Sequence, residues 1–326
     1  MFATPIGSAW AKAVASGLVL SACGGAAAWA QSGYPVPTVT LVTHSSPGGG
    51  SDVFLRTLAK HLGPRLGVHF AIENITGGSG ARAVAKVAQA PADGSVLYAT
   101  TPTYIQTTLL SKPQYGYDSL LPVVNVFYDP EVVYTRAQSP HRTLAEAIDA
   151  ARKNPGKAKW GAANPASLER IAMERLSRVT QARAIIVSYE GGRDQLLGVL
   201  NGTLDLGIGE IQELVAQLDA GQVRLLAVLT ANRVPGLPDL ATAREQGIDV
   251  VVTKFRGLAG PRNLPPSVLK AWHDGIQAVL ADPAYQKEYR RESLIPALMG
   301  AEEAGRFTAS FATEVAGSLR ELGVIK

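Results

Sequence analysis

The sequence contains very little cysteine and few long apolar runs. A single thiol, Cys23, is present among 326 residues, so no intramolecular disulfide can form and Cys-rich zinc and iron–sulfur frameworks are excluded. After residue 30, no segment approaches the roughly 18 uninterrupted apolar residues of a membrane span. Basic residues exceed acidic ones by only 31 to 27 and form no block, which gives no support to a nucleic-acid partner.

Recognisable catalytic motifs are also missing. The chain has no Gly-x-Ser-x-Gly elbow, no Walker phosphate loop and no His-Glu-x-x-His zinc motif, and its five histidines lie scattered without ligand spacing. His44 lies beside a predicted binding turn, where it is either an ordinary strand-end residue or a proton shuttle. Residues 78–83 superficially fit a dinucleotide fingerprint, but the acid expected about twenty residues further on is missing. The sequence therefore predicts neither a cofactor, a metal site nor an active site.

The first thirty residues have the features of an export signal. They contain no acid and one base, Lys12, followed by an apolar run over 13–20 that has the length of a secretory h-region. Two processing sites compete: the sequence LSAC, ending at Cys23, resembles a bacterial lipobox, whereas AWA, ending at Ala30, has the form of an ordinary cleavage site. We interpret residues 1–30 as a signal peptide and predict a periplasmic protein, anchored to the membrane only if Cys23 is lipidated.

The rest of the chain alternates between strand-like and helix-like segments. Its length predicts two domains, and its 46% hydrophobic residues suffice for globular cores. Residues 38–43 read as a strand that leads through a glycine-rich turn into a helix, and the same pattern restarts after residue 130. There, Thr143 and Glu146 form a capping box that opens a helix over 143–153. The tail over 265–322 is predicted to be mainly helical. This alternation is typical of parallel α/β architecture.

Four turns rich in small residues follow predicted strands, two in each half of the chain. They lie at 47–52, 76–80, 163–167 and 189–192. In an open parallel sheet, ligands bind beyond the carboxyl ends of the strands, where glycines allow close approach and helix N-termini offer free N–H groups. If the halves face each other, the four turns form one cleft suited to a carboxylate or another small anion.

Several linked motifs resemble the Bug-type, TctC-like receptors, which are the extracytoplasmic solute-binding components of tripartite tricarboxylate transporters. The motifs SSPGGGSD over 45–52, ENITGGSG over 73–80 and YEGG over 189–192 occur in the family's order, and the resemblance covers nearly all of the chain after the signal. It implies a two-domain, periplasmic-binding-protein-like (type II) α/β clamshell with two interdomain crossovers. Domain 1 would comprise residues 35–130 plus 254–326, and domain 2 residues 131–253.

The resemblance also implies a function. The protein would capture a small carboxylate-bearing organic molecule between its domains and present it to a membrane transporter, without enzymatic activity or a cofactor. Its partners would be a small organic acid or amino acid and inner-membrane transporter subunits. Two alternatives remain open: a periplasmic sensor that signals to a partner protein without transport, and a hydrolase or transferase built on a similar α/β frame.

The resemblance and the small-residue turns together imply one set of ligand-binding residues. These residues are Ser46, Gly49, Gly50, Ser51, Asp52, Gly77, Gly78, Asn164, Ser167, Tyr189, Glu190, Gly191 and Arg256. Ser51 would donate its hydroxyl to the ligand and Asp52 would order its turn, although helix capping alone explains both equally well.

Departures from the family pattern bear on the ligand. A lysine common after the tyrosine is Glu190 here, and a common tryptophan is Phe255, followed by Arg256. Glu190 would repel a second carboxylate unless Arg170, Arg193 or Arg256 offsets its charge. We therefore hypothesise that the ligand is a monocarboxylate, an amino acid or an aromatic acid instead of a simple tricarboxylate.

Overall fold

The computed structural model describes residues 34–321 and 323–326. The predicted signal peptide over 1–30 and the predicted lipidation of Cys23 lie outside these residues. The described strands are β1 (Thr38–Thr43), β2 (His69–Asn74), β3 (Val96–Thr100), β4 (Leu120–Tyr128), β5 (Glu131–Arg136), β6 (Lys159–Ala162), β7 (Ile185–Ser188), β8 (Gly207–Glu210), β9 (Val223–Val228), β10 (Phe255–Pro261) and β11 (Ile295–Met299).

Helices connect most of these strands. The described α-helices are α1 (Gly50–Leu66), α2 (Ala81–Ala88), α3 (Pro102–Ser111), α4 (Leu144–Lys153), α5 (Leu168–Thr180), α6 (Gly192–Leu200), α7 (Ile211–Asp219), α8 (Pro266–Leu280), α9 (Pro283–Arg291) and α10 (Ala301–Glu321). Short 3₁₀ turns lie at Gly78–Gly80, Tyr117–Ser119 and Arg244–Gln246. No helix in the described part of the chain combines the length and apolar character needed to cross a bilayer.

One six-stranded sheet, with the helices packed on it, forms what we call the first half. Its strand order is β2-β1-β3-β10-β4-β11. The strands β1, β2 and β3 are parallel, whereas β10 is antiparallel to both of its neighbours. Apolar side chains of β1, α1, β4 and α8 make its main core, in which Leu41, Phe54, Phe127 and Trp272 are each at most 1% exposed. Their burial is the principal force holding this half together.

The strands β5 to β9 form what we call the second half, which repeats the strand order of the first. One sheet has the order β8-β5-β9, and a parallel pair joins β6 to β7. A parallel bridge between Trp160 and Leu206 links the two, giving β7-β6-β8-β5-β9. This order corresponds to β2-β1-β3-β10-β4, with β5 in the place of β10. In both halves the fourth strand of the row comes from the segment that crosses between the halves, as expected of the type II clamshell.

The two crossover segments run side by side. The chain leaves the first half between β4 and β5 and returns just before β10. The backbone N–H of Asp129, on the outgoing segment, donates to the carbonyl oxygen of Lys254, on the returning one, over 3.0 Å. This pairing gives the halves a two-stranded connection, which is the geometry of a hinge.

Most predicted elements lie where the sequence pattern put them, with two differences. Thr143 caps α4 by accepting a hydrogen bond from the Glu146 backbone N–H over 3.2 Å, as the capping box predicts. The first sheet is mixed instead of wholly parallel, because the returning segment enters it as antiparallel β10. The tail also contains a strand, β11, which pairs with β4 and interrupts the predicted run of helices.

Candidate functional site

A cavity lies between the halves, where the carboxyl ends of strands from both sheets meet. The first half lines it with His44, Ser45, Gly50, Ser51, Thr101 and Thr103. The second half lines it with Ala163, Asn164, Glu169, Glu190, Gly191, Gly192, Glu210 and Glu213, and the returning crossover adds Lys254 and Arg256. This is the position at which open α/β sheets bind ligands.

Five helices begin at this cavity. The first turns of α1 and α3 reach it from the first half, and those of α5, α6 and α7 from the second. Each helix N-terminus carries partial positive charge and unpaired N–H groups, so their convergence stabilises negative charge in the cavity. In this conformation the cavity has a volume of about 30 Å³, enough for one or two water molecules. A larger ligand does not fit the cavity in this conformation.

Arg256 connects the two halves through three hydrogen bonds. Its Nε donates to Asp129 Oδ2 over 2.7 Å, Nη1 to Ser51 Oγ over 2.7 Å and Nη2 to Glu210 Oε1 over 2.6 Å. The residue is 1% exposed. Burial alone would lower the pKa of Arg256, but the carboxylates of Asp129 and Glu210 raise it above its ordinary value. Its guanidinium is thus a fixed cation in which each nitrogen already donates to a protein acceptor.

Lys254 lies among three buried carboxylates. Its Nζ is 2.7 Å from Glu131 Oε1 and 2.5 Å from Glu169 Oε1, and it also pairs with Glu210. Burial alone would lower the pKa of Lys254, but the three carboxylates raise it well above its ordinary value. The three glutamates are close enough together to share a metal ion, yet the Lys254 ammonium already takes that central position. A cation of the chain itself therefore occupies the space between them.

A carboxyl group of the chain itself lies at the start of α1. Glu213, in the first turn of α7, accepts a hydrogen bond from the Gly50 backbone N–H over 2.5 Å through Oε1. Burial and the neighbouring Glu210 carboxylate, to which Glu213 is hydrogen-bonded, raise the pKa of Glu213 well above its ordinary value. A Cβ atom at Gly192 would overlap the Glu213 carboxyl group, so this glycine allows Glu213 to lie between the first turns of α1 and α6.

His44 does not have the surroundings of a proton shuttle. Its Nδ1 is 2.7 Å from the Tyr98 hydroxyl. Burial, reinforced by Arg256, lowers the pKa of His44 to about 4, so the ring is neutral at pH 7. Burial also raises the pKa of Tyr98 well above 10, which leaves its hydroxyl protonated as the donor. The strand-end interpretation of His44 fits this geometry.

The structure brings about half of the predicted binding residues to the cavity. Those that line it are Gly50, Ser51, Asn164, Glu190, Gly191 and Arg256. The remaining predicted residues, which do not line it, are Ser46, Gly49, Asp52, Gly77, Gly78, Ser167 and Tyr189.

Several of the remaining residues support the lining instead of forming it. Asp52 accepts hydrogen bonds from the Gly48 backbone N–H and from Arg56 through Oδ2, and from Asn74 through Oδ1. Ser167 is the N-cap of α5 and accepts from the Arg170 backbone N–H over 3.0 Å. Both residues order a turn whose neighbours reach the cavity, and for Asp52 this is the turn-ordering role that the sequence implied.

The charged residues at the centre of the cavity were not among the predicted set. Glu169, Glu210, Glu213 and Lys254 belong to none of the motifs that the sequence analysis used. Glu210 ends β8 and Glu213 lies in the helix that follows, so the rule that placed sites after strands would have found them had β8 been recognised. Lys254 carries no comparable signal, because its partners come from distant parts of the chain.

Comparisons with known proteins agree with this fold. The family profile described as tripartite tricarboxylate transporter family receptor matches residues 54–323. A UPF0065 protein of Bordetella bronchiseptica is 27% identical over 274 residues, which cover 83% of this chain and 81% of that protein. The structure of periplasmic binding protein BugD has a TM-score of 0.84 at 25% identity and covers 90% of this chain and 100% of BugD.

A second solved structure is equally similar. The R. palustris protein Rpa4515 with adipate has a TM-score of 0.84 at 26% identity, covering 89% of this chain and 98% of that one. The predicted fold class is thereby confirmed. The profile match extends over most of the chain, so this protein belongs to the tripartite tricarboxylate transporter receptor family.

Proposed function

We propose that this protein is an exported receptor that captures a small carboxylate-bearing organic molecule between its halves and presents it to an inner-membrane transporter. The observation that carries the proposal is the cavity itself, to which both sheets contribute strand ends and helix N-termini. Backbone N–H groups at helix N-termini bind carboxylates without a charged side chain. The similar R. palustris structure with adipate supports the same ligand class.

Binding would act through closure of the halves. A ligand that contacts both halves stabilises the closed form, since only that form makes both sets of contacts. We propose residues 35–130 plus 254–326 as one moving domain and 131–253 as the other. The ligand contacts proposed from the sequence, Gly50, Ser51, Asn164, Glu190 and Gly191 among them, lie on both sides. The transporter would recognise the closed arrangement.

We propose binding without a chemical step. His44 is the histidine of the described cavity lining, and it pairs with Tyr98 instead of with a nucleophile. Export would depend on residues 1–30, with processing either before Cys23, which would be lipidated, or after Ala30. Mass spectrometry of the protein purified from bacterial membranes and from periplasm distinguishes the two products.

Calorimetric titration tests the proposed function. The chain from Gln31 onward, refolded to remove carried-over ligand, is titrated with mono-, di- and tricarboxylates, aromatic acids and amino acids. We expect one-to-one binding with a dissociation constant of about 1 µM or tighter for at least one carboxylate-bearing compound. A Gly192→Leu variant, whose side chain would fill the cavity, should bind at least 10-fold more weakly. A matched Gly305→Leu variant in α10, where a Cβ meets open space, should bind normally. Absence of binding by every compound would refute the proposal.

A further inference from the structure

The cationic side chains of the cavity are already paired with acceptors of the protein. Among the described lining residues, Lys254 and Arg256 carry the positive charges. All three donor nitrogens of Arg256 have protein acceptors, and Lys254 pairs with three carboxylates. A ligand carboxylate would therefore meet no unpaired cationic group here, and it depends on backbone N–H groups and hydroxyls.

Acceptors, in contrast, remain without partners. Glu169 lines the cavity and is 4% exposed, yet its Oε2 has no hydrogen-bond partner among the described residues. Glu190 lines the cavity mouth, is exposed, and forms no ion pair with any described residue. A buried carboxylate oxygen without a donor destabilises the protein, because it loses its hydrogen bonds to water and gains none. The cavity thus has a surplus of acceptors, which a ligand bearing N–H donors would satisfy.

One of the anion-binding positions is already taken. The Gly50 N–H at the start of α1 donates to Glu213, so a ligand carboxylate could use this position only by displacing that side chain. The first turn of α3, which reaches the cavity through Thr103, remains available for a carboxylate. Among the described lining residues, acidic groups therefore lie beside the first turns of α1, α5 and α6, whereas the first turn of α3 contains none.

From this arrangement we infer that the ligand carries a cationic nitrogen, an ammonium or guanidinium group, that pairs with Glu169 and Glu190 while its carboxylate binds at the first turn of α3. The inference rests on the proposed function and narrows it from carboxylates in general to zwitterionic, amino-acid-like molecules. The N–H groups of such a cation would supply donors to Glu169 Oε2 and to the exposed carboxylate of Glu190. Charge-assisted hydrogen bonds of this type are about twice as strong as neutral ones.

Matched ligand pairs test the inference on the wild-type protein. Adipate, 6-aminohexanoate and 1,6-diaminohexane share a six-carbon chain and differ only in their end groups, and glutarate and glutamate form a second matched pair differing by one α-amino group. We expect the amino-bearing acid of each pair to bind at least 10-fold more tightly than the diacid. Equal or tighter binding of the diacids would overturn the inference and leave the proposed function intact. Binding of the diamine alone would support the cation site but refute the carboxylate part of the proposed function.

Two variants test the residues. Glu169→Gln should reduce the affinity for the amino acid at least 10-fold and leave the affinity for the matched diacid unchanged or improved. Glu174→Gln, on the same helix but exposed and outside the cavity, is the control and should change neither affinity. Because Glu169 also pairs with buried Lys254, Glu190→Gln provides a second test that does not remove a Lys254 partner. An amino preference that persists in both folded variants would overturn the assignment to Glu169 and Glu190.

Discussion

Individual side chains in the cavity depend on burial for their protonation states. Asp129 is fully buried beside Arg256, and burial raises its pKa to about 6 even though the guanidinium opposes the change. His44 responds in the opposite sense, since burial disfavours its charged form. The two residues therefore affect the free energy of unfolding with opposite signs as the pH falls.

The pKa of His44 predicts a loss of stability in mild acid. Its pKa is about 4 in the folded protein against 6.5 for the free group, so between these values the unfolded chain binds more protons. The contribution of His44 to the free energy of unfolding is fully present above pH 6.5. This contribution, about 3 kcal/mol, is lost as the pH falls to about 4. Urea unfolding at pH 7.5 and 4.5 measures the loss, with His44→Gln as the comparison. Glutamine can still accept from Tyr98 and does not titrate, and both proteins retain Asp129. Parallel pH profiles for the two proteins would contradict the prediction.

At the scale of a single helix, N-capping explains why one predicted site residue lies behind the cavity lining. Ser167 is completely buried as the N-cap of α5, so its hydroxyl serves the helix. We expect Ser167→Ala to lower the free energy of unfolding by about 1 kcal/mol. Ser318→Ala, at an exposed position of α10, should change it by less than about 0.5 kcal/mol. Chemical denaturation measures both. A loss of ligand affinity much larger than the loss of stability would instead indicate direct contact between Ser167 and the ligand.

Local sequence patterns predicted individual strands and helices better than they predicted which parts of the chain contact each other. The strand over 38–43, the capped helix α4 and the small-residue turns could be read from spacing and turn residues, because these signals depend on near neighbours in the chain. The antiparallel insertion of β10 could not be predicted from such local signals, because β10 pairs with β3 and β4, which are more than 120 residues away in the sequence. The same holds for Lys254, whose carboxylate partners come from β5, α5 and β8.

At the scale of the whole molecule, a few polar contacts hold the halves together across the cavity. The bond from Gly50 N–H to Glu213 joins α1 to α7, and Arg256 joins Ser51 to Glu210. The protein is then in equilibrium between an open and a closed form, and both these contacts and any bound ligand shift this equilibrium toward the closed form. The Glu213 contact is the one that a single substitution removes without unpairing a buried cation.

We expect Glu213→Ala to shift the protein toward the open form. Small-angle X-ray scattering without added ligand should give a larger mean radius of gyration than for the wild type, because the α1 to α7 contact is lost. Glu174→Ala, exposed on α5, is the matched control and should scatter like the wild type. Scattering curves that are identical for all three proteins would show that Glu213 does not hold the halves together.

The position of β10 has a consequence for how the chain is made. The strands β3 and β4 are complete by residue 128, yet they pair with each other only through β10, which spans Phe255–Pro261. Until that segment is available, the facing backbone groups of both strands remain unpaired, and the whole second half has to be synthesised in between. Such long-range pairing folds slowly and leaves strand edges open to aggregation. The first half is therefore the part of the nascent protein that most needs to stay unfolded, or bound to a chaperone, until nearly the entire chain is available.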